Sequence, residues 1–132
     1  MKKIYLVLSL FILIVNSSCE KENCSGAEFC TADLRMILVQ VKSSTGQPVI
    51  LDKVYTIRKK TGEKLTLDQN MTDGWYYVLD DSHKKKVNLP SEVFEFVGIK
   101  KSKKVVSELY TVSADKCHIN KVDGKQVVIA AD

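Results

Sequence analysis

The chain has 132 residues, four cysteines and a formal net charge of +4 at pH 7. That length admits one domain with its own core and leaves no room for several. The charge falls to about +2 once Lys2 and Lys3 are set aside, so it gives no support to nucleic-acid binding.

Lys2 and Lys3 are followed by an apolar run, Ile4 to Val15, broken only by Ser9. A bilayer-spanning helix needs about 20 apolar residues, so this run reads as a secretory signal segment over residues 1–18. Leu13-Ile14-Val15-Asn16-Ser17-Ser18-Cys19 then presents a cysteine after small residues, and it resembles a lipobox. Asn16 stands where a lipobox usually has a small or aliphatic residue. Acylation of Cys19 is the resulting expectation, and the acyl chains would be the contact with the membrane. The other reading is an ordinary signal peptide that leaves Cys19 as a disulfide cysteine. Glu20-Lys21-Glu22 resembles the charged signal that sends some lipoproteins to the outer face of the outer membrane; it also suits a plain solvated linker. Residues 19–30 are polar and read as a tether.

From Asp33 onward, short apolar runs alternate with turn residues, and no window keeps a helical period. Strands are predicted at Leu34–Val41, Val54–Arg58, Lys64–Leu67, Trp75–Leu79, Val93–Ile99, Val105–Val112, Cys117–Ile119 and Gln126–Ile129. Ile37, Val39 and Val41 share one face of the first. Trp75, Tyr77 and Leu79 share a face of the fourth, Phe94 and Phe96 a face of the fifth. Asp80 to Lys86 reads as a charged loop. Lys100 to Lys104 reads as a hairpin tip, and Asp123-Gly124 as a turn joining the last two strands. About seven or eight strands in residues 31–132, after an N-terminal signal helix, predict an all-β domain, a single antiparallel β-sandwich.

An exported chain meets an oxidising compartment, so its cysteines are expected to pair. With Cys19 acylated, Cys24, Cys30 and Cys117 remain, an odd number that leaves one free or paired between molecules. Spacing alone keeps the three pairings open. On the loop-entropy model, Cys30–Cys117 is worth about 4.6 kcal/mol and Cys24–Cys30 about 2.4.

Val41-Lys42-Ser43-Ser44-Thr45-Gly46-Gln47-Pro48-Val49 looks like the first hairpin of carboxypeptidase-regulatory-like, transthyretin-like domains. Thr72-Asp73-Gly74-Trp75-Tyr76 looks like their Thr-Asp-Gly-aromatic step. Asp52 to Arg58 and Ser113 to Ile119 resemble small bacterial lipoproteins with such a sandwich. The resemblance implies the fold, an envelope location and a Cys30–Cys117 bond. It implies no activity. The ordered strands beside these two cysteines and the gain from closing a long loop argue for the same bond.

Cys117 and His118 are adjacent and, on a strand, would point to opposite faces, which argues against a Cys–His nucleophile. Two histidines without ligand-spaced carboxylates give no zinc pattern, and no catalytic signature is present, so no enzyme and no cofactor are expected. Asp80 and Asp81 could contribute to a calcium site or simply make a turn. Trp75, Tyr76 and Tyr77 alternate faces, so at least one is expected outward, where it could stack on a sugar. Lys100, Lys101, Lys103 and Lys104 could meet an acidic polysaccharide or lipid headgroup, or act as a solvated tip that discourages edge pairing. The expectation is a non-catalytic, lipid-anchored envelope module that binds or scaffolds a protein or glycan at the cell surface. The alternative is a structural or assembly subunit of an envelope complex.

Overall fold

The computed structural model describes residues 30–131. The expected signal segment, the acylation site Cys19 and the tether through residue 29, with Cys24, lie outside the described residues.

The described chain forms two sheets. One has the order β4-β1-β8, from Trp75–Asp80, Met36–Lys42 and Val127–Ile129. The other has the order β3-β2-β5-β6-β7, from Lys64–Leu65, Lys53–Arg58, Glu92–Lys100, Lys103–Ala114 and Ile119–Asp123. The pairs are antiparallel except β1 with β8, which runs parallel. The chain is therefore all-β, with one six-residue 3-10 helix, Asp81–Lys86, among the described residues.

A single hydrophobic cluster draws on both sheets. Val39, Val41, Val78 and Leu79 come from the first, and Phe94, Phe96, Tyr110 and Val112 from the second. All eight are fully buried. Burying an aliphatic or Phe side chain contributes about 1.5–3 kcal/mol. On β1 the period is two: Ile37, Val39 and Val41 are buried, while Met36 is exposed.

Several local expectations are corrected. β1 begins at Met36 rather than Leu34. Leu79 does not share a face with Trp75 and Tyr77. Ile37 faces Leu79 and Leu38 faces Tyr77, so Val78 is left without a partner on β1. This one-residue bulge turns Leu79 into the core beside Tyr76 and Val78, and a strict alternation cannot foresee it. The freed Val78 carbonyl accepts the buried Thr56 hydroxyl at 2.6 Å from the opposite sheet. β7 begins at Ile119, so Cys117 and His118 lie in the preceding loop. Asp123-Gly124 does not make a hairpin: β7 and β8 belong to different sheets, and the chain crosses between them there. The segment after Asp80 is a 3-10 helix rather than a loop. Asp80 caps it, accepting the Ser82 N–H at 3.0 Å.

Candidate functional site

The predicted contact residues fall in two places. Tyr76 belongs to the core: its hydroxyl donates to the Val49 carbonyl at 3.0 Å and accepts the Leu51 N–H at 2.8 Å. Burial pushes its hydroxyl pKa up, against the Leu51 bond. Trp75 and Tyr77 take the other face of β4, opposite Gln40 and Leu38, where both are half-buried and Tyr77 packs against the core cluster. The outer edge of β4 is partly capped by Gln69, whose amide accepts the Tyr77 N–H at 2.8 Å and donates to the Tyr77 carbonyl at 3.2 Å.

The lysines sit at the far end of the β5–β6 hairpin. Lys101 and Ser102 both have positive φ, 47° and 64°, which is the left-handed pair a two-residue hairpin turn requires. The Lys101 N–H is anchored by Asp52 at 2.6 Å. Below the tip, Gly98 faces Val106 and Ile99 faces Lys104, so Val105 is bulged out of register. A Cβ at Gly98 would lie 2.7 Å from Cδ1 of Leu51, so a side chain there would have to displace the Leu51 side chain. The Val105 carbonyl accepts the Ala131 N–H at 2.8 Å, and the Lys42 carbonyl accepts the Ala130 N–H at 2.8 Å. The end of the chain is thereby stitched to both sheets.

These contacts enclose a pocket of about 290 Å³, lined by Ser43, Val49, Lys100, Lys101, Lys103, Val105, Ala130 and Ala131. Among the described residues, its lining joins the apolar Val49, Val105 and Ala130 to three lysines and includes no acidic residue. Lys100 and Lys103 are direct cross-strand partners. Like charges so placed destabilise a hairpin. Lys104 turns away toward Glu95, 3.9 Å off, in a group that Glu95 also shares with Lys59 at 2.8 Å and Ser107 at 2.7 Å. The structure thus brings together three of the four predicted lysines and separates them from Trp75 and Tyr77.

A second constellation, beside the expected Cys30–Cys117 bond, escaped sequence reading. Cys30 and Cys117 are bonded, S–S 2.04 Å and Cα–Cα 5.2 Å. Beside them the His118 ring is buried, with Nδ1 2.8 Å from Asp81 Oδ2 and Nε2 3.0 Å from the Thr31 hydroxyl. The tautomer that satisfies both partners donates through Nδ1 and accepts at Nε2. Asp81 also accepts the N–H groups of Arg35 at 2.8 Å and Ile119 at 2.7 Å. Burial works against its ionisation, but the His118 ring and the two N–H groups outweigh it and hold the carboxyl below the usual range. A hydroxyl, an imidazole and a carboxylate in this order have the connectivity of a nucleophile, base and orienter. Neither Thr31 nor His118, however, lines the lysine pocket, the groove between β1 and β7 or the groove over Leu51 and Tyr76. Asp81 acts instead as a fastening for three segments. Asp80 is engaged by Ser82 and His83, and no group of three His, Cys, Asp or Glu converges among the described residues. The Asp81–His118 pair is 37 residues apart, so no sequence spacing could announce it.

Asp115 shapes the loop that carries Cys117 and His118. The N–H of His118, the Asn120 amide and the N–H of Cys117 hold its carboxyl down to about 2 from 3.8. A depressed carboxyl stabilises the fold fully above its unfolded pKa and loses that contribution as pH falls toward the folded value. The stability of the protein therefore drops between about pH 4 and pH 2. Asp115→Asn makes that acid limb shallower, as read from urea midpoints along a pH series. An unchanged limb would mean that Asp115 does not couple folding to protons.

No family model, curated protein or solved structure matches the chain.

Proposed function

We propose that the protein is a lipid-anchored envelope module, fixed to the outer membrane through Cys19, that binds an anionic glycan through the pocket at the hairpin tip. The two sheets around one core are read as a transthyretin-like sandwich that holds this pocket. The observation that carries the reading is the gathering of Lys100, Lys101 and Lys103 beside Val49, Val105 and Ala130, with no acidic residue among the described lining residues. The Lys100–Lys103 pairing adds to it, because a local conflict of this kind is what functional sites tolerate. An acidic sugar satisfies both features: its carboxylate or sulfate neutralises the ammonium groups, and its ring lies on Val49, Val105 and Ala130. The reading requires no chemistry on the ligand.

The test is binding of heparin, polygalacturonate and neutral dextran to the full chain at several salt concentrations. The two acidic polymers bind, with affinity falling as salt rises; dextran does not. Replacing Lys100, Lys101 and Lys103 together by Ala weakens binding about tenfold or more, equivalent to at least about 1.4 kcal/mol. Lys104→Ala, which removes the lysine turned toward Glu95, has little effect. Equal binding by the triple variant, or by dextran, would overturn the assignment. Loss on Trp75→Ala with the lysines intact would move the site to the face of β4.

A further inference from the structure

The parallel pairing of β8 with β1 is short, and it leaves half of β1 uncovered. Gln40 donates its N–H to Gln126 at 2.8 Å, and the Lys42 carbonyl accepts from Ala130, so the even-numbered residues of β1 face the β8 side. Val41 donates to Gly74 at 2.7 Å on the opposite, β4 side. β8 meets only Gln40, Val41 and Lys42. Met36 and Leu38 follow the same alternation, so their N–H and C=O groups point where β8 does not reach. They have no strand partner on that side among the described residues.

A groove of about 400 Å³ lies along this stretch, between β1 and β7, the outermost strand of the other sheet. Ile37 and Ile119 line it between the two edges, with Asn120 and Lys121 on the β7 side. Residues of the two edges mark its ends. Gln126 stands at the Gln40 end, and the Arg35 guanidinium bridges to Asn120 at 2.6 Å at the other. Between these limits there is room for about three extended residues, roughly 10 Å of strand. Arg35 and Lys121 supply positive charge, and no acidic residue lines the groove among the described residues.

We propose that this groove receives the carboxy-terminal end of an extended peptide, which adds to β1 antiparallel beside Met36–Leu38. The guanidinium at the Arg35 end is a partner for a terminal carboxylate, which a strand passing through would lack. β1 runs from Arg35 toward Gln40, so an antiparallel guest ends beside Arg35 and sets its terminal carboxylate against the guanidinium. Main-chain bonds to Met36 and Leu38 supply affinity, as in other strand additions, and the carboxylate supplies selection for a terminus. The proposal is independent of the lysine pocket, which lies at the other end of β1.

The probe is a hexapeptide mixture randomised at its last three positions, made once as free acids and once as carboxy-terminal amides. Binding to the full chain is followed by residue-resolved hydrogen exchange and by fluorescence titration. The free acids slow exchange at the Met36 and Leu38 amides and bind at least tenfold more tightly than the amides. Arg35→Gln removes that preference, and so in part does Lys121→Glu, which leaves the Arg35–Asn120 bridge in place and guards against a variant that merely loosens the fold. Equal binding of acids and amides overturns the proposal, as does the absence of binding up to about 1 mM. Protection confined to the outer edge of β4 overturns it too. A self-associated chain, seen by sedimentation, that protects Met36 and Leu38 without peptide would assign the groove to a second copy instead.

Discussion

Replacing Cys30 and Cys117 together by alanine lowers the stability of the protein by about 4.6 kcal/mol on the loop-entropy model, the largest effect expected of any change considered. The bond closes a loop with a sequence separation of 87, which spans most of the described chain. Without it, the unfolded ensemble regains the freedom of that whole loop. Domains of this size are typically stable by about 5–15 kcal/mol, so the reduced variant sits close to unfolding. The folded form still has fastenings nearby: Thr31 to His118, Arg35 to Asp81 and Arg35 to Asn120. Local unravelling of residues 30–35 is therefore limited, and the loss is global. Urea unfolding of the oxidised chain and the double variant, followed by tryptophan fluorescence at Trp75, measures it. A difference below about 1 kcal/mol would show that the bond is redundant with the hydrogen bonds around Asp81.

Gly124→Ala is the second large effect, a loss of about 3 kcal/mol. Two causes add. Gly124 has φ +125°, a backbone region that an L-residue enters only under strain of about 1–3 kcal/mol. A Cβ there would also lie 2.3 Å from Cδ1 of Tyr110, whose ring is fully buried. Overpacking of this kind costs about 1–3 kcal/mol. The ring has little room to retreat, because its hydroxyl donates to the Lys125 carbonyl at 2.7 Å, in the same crossing segment. Burial also pushes that hydroxyl pKa well above its ordinary value, with the Glu108 charge adding to the effect. Tyr110→Phe/Gly124→Ala separates the causes: freed from its bond to Lys125, the ring can shift, and part of the clash is relieved while the backbone strain stays. A Gly124→Ala variant as stable as the parent in urea would show that the crossing can be rerouted.

Much of the fold was legible because most strands are simple alternations. Ile37 with Val39 and Val41, and Phe94 with Phe96, were placed on their faces correctly, and all five are buried. The misplacements share one physical origin. Leu79 went to the wrong face because Val78 is an extra residue opposite β1. Asp123-Gly124 was read as a hairpin because turn dipeptides specify a bend, not which sheet receives the next strand. The lysine cluster at the tip could be seen in sequence, since Lys100 to Lys104 is contiguous. That Lys104 leaves the group for Glu95 depends on the Val105 bulge and could not be seen. The groove beside Met36 was invisible, because it exists only where two distant edges, β1 and β7, fail to meet. The fastening at Asp81 was hidden for the same reason: its partners Arg35, His118 and Ile119 come together only through long-range packing.

The bond between Cys30 and Cys117 also settles how the domain bears tension. Pull on the chain from its N-terminal side reaches residue 30 and passes at once through sulfur to residue 117, because the covalent route is the stiffer one. β1 to β6 lie inside the closed loop and are bypassed. Among the described residues, a pull between the two ends can lengthen only the part after Cys117, where β7 and β8 give way while the strands of the loop carry no tension along their own backbone. A tugged molecule would lose those two strands, and with them the Ala130–Ala131 wall of the lysine pocket and the Asn120–Lys121 side of the β1 groove, while the rest of its core stayed shut.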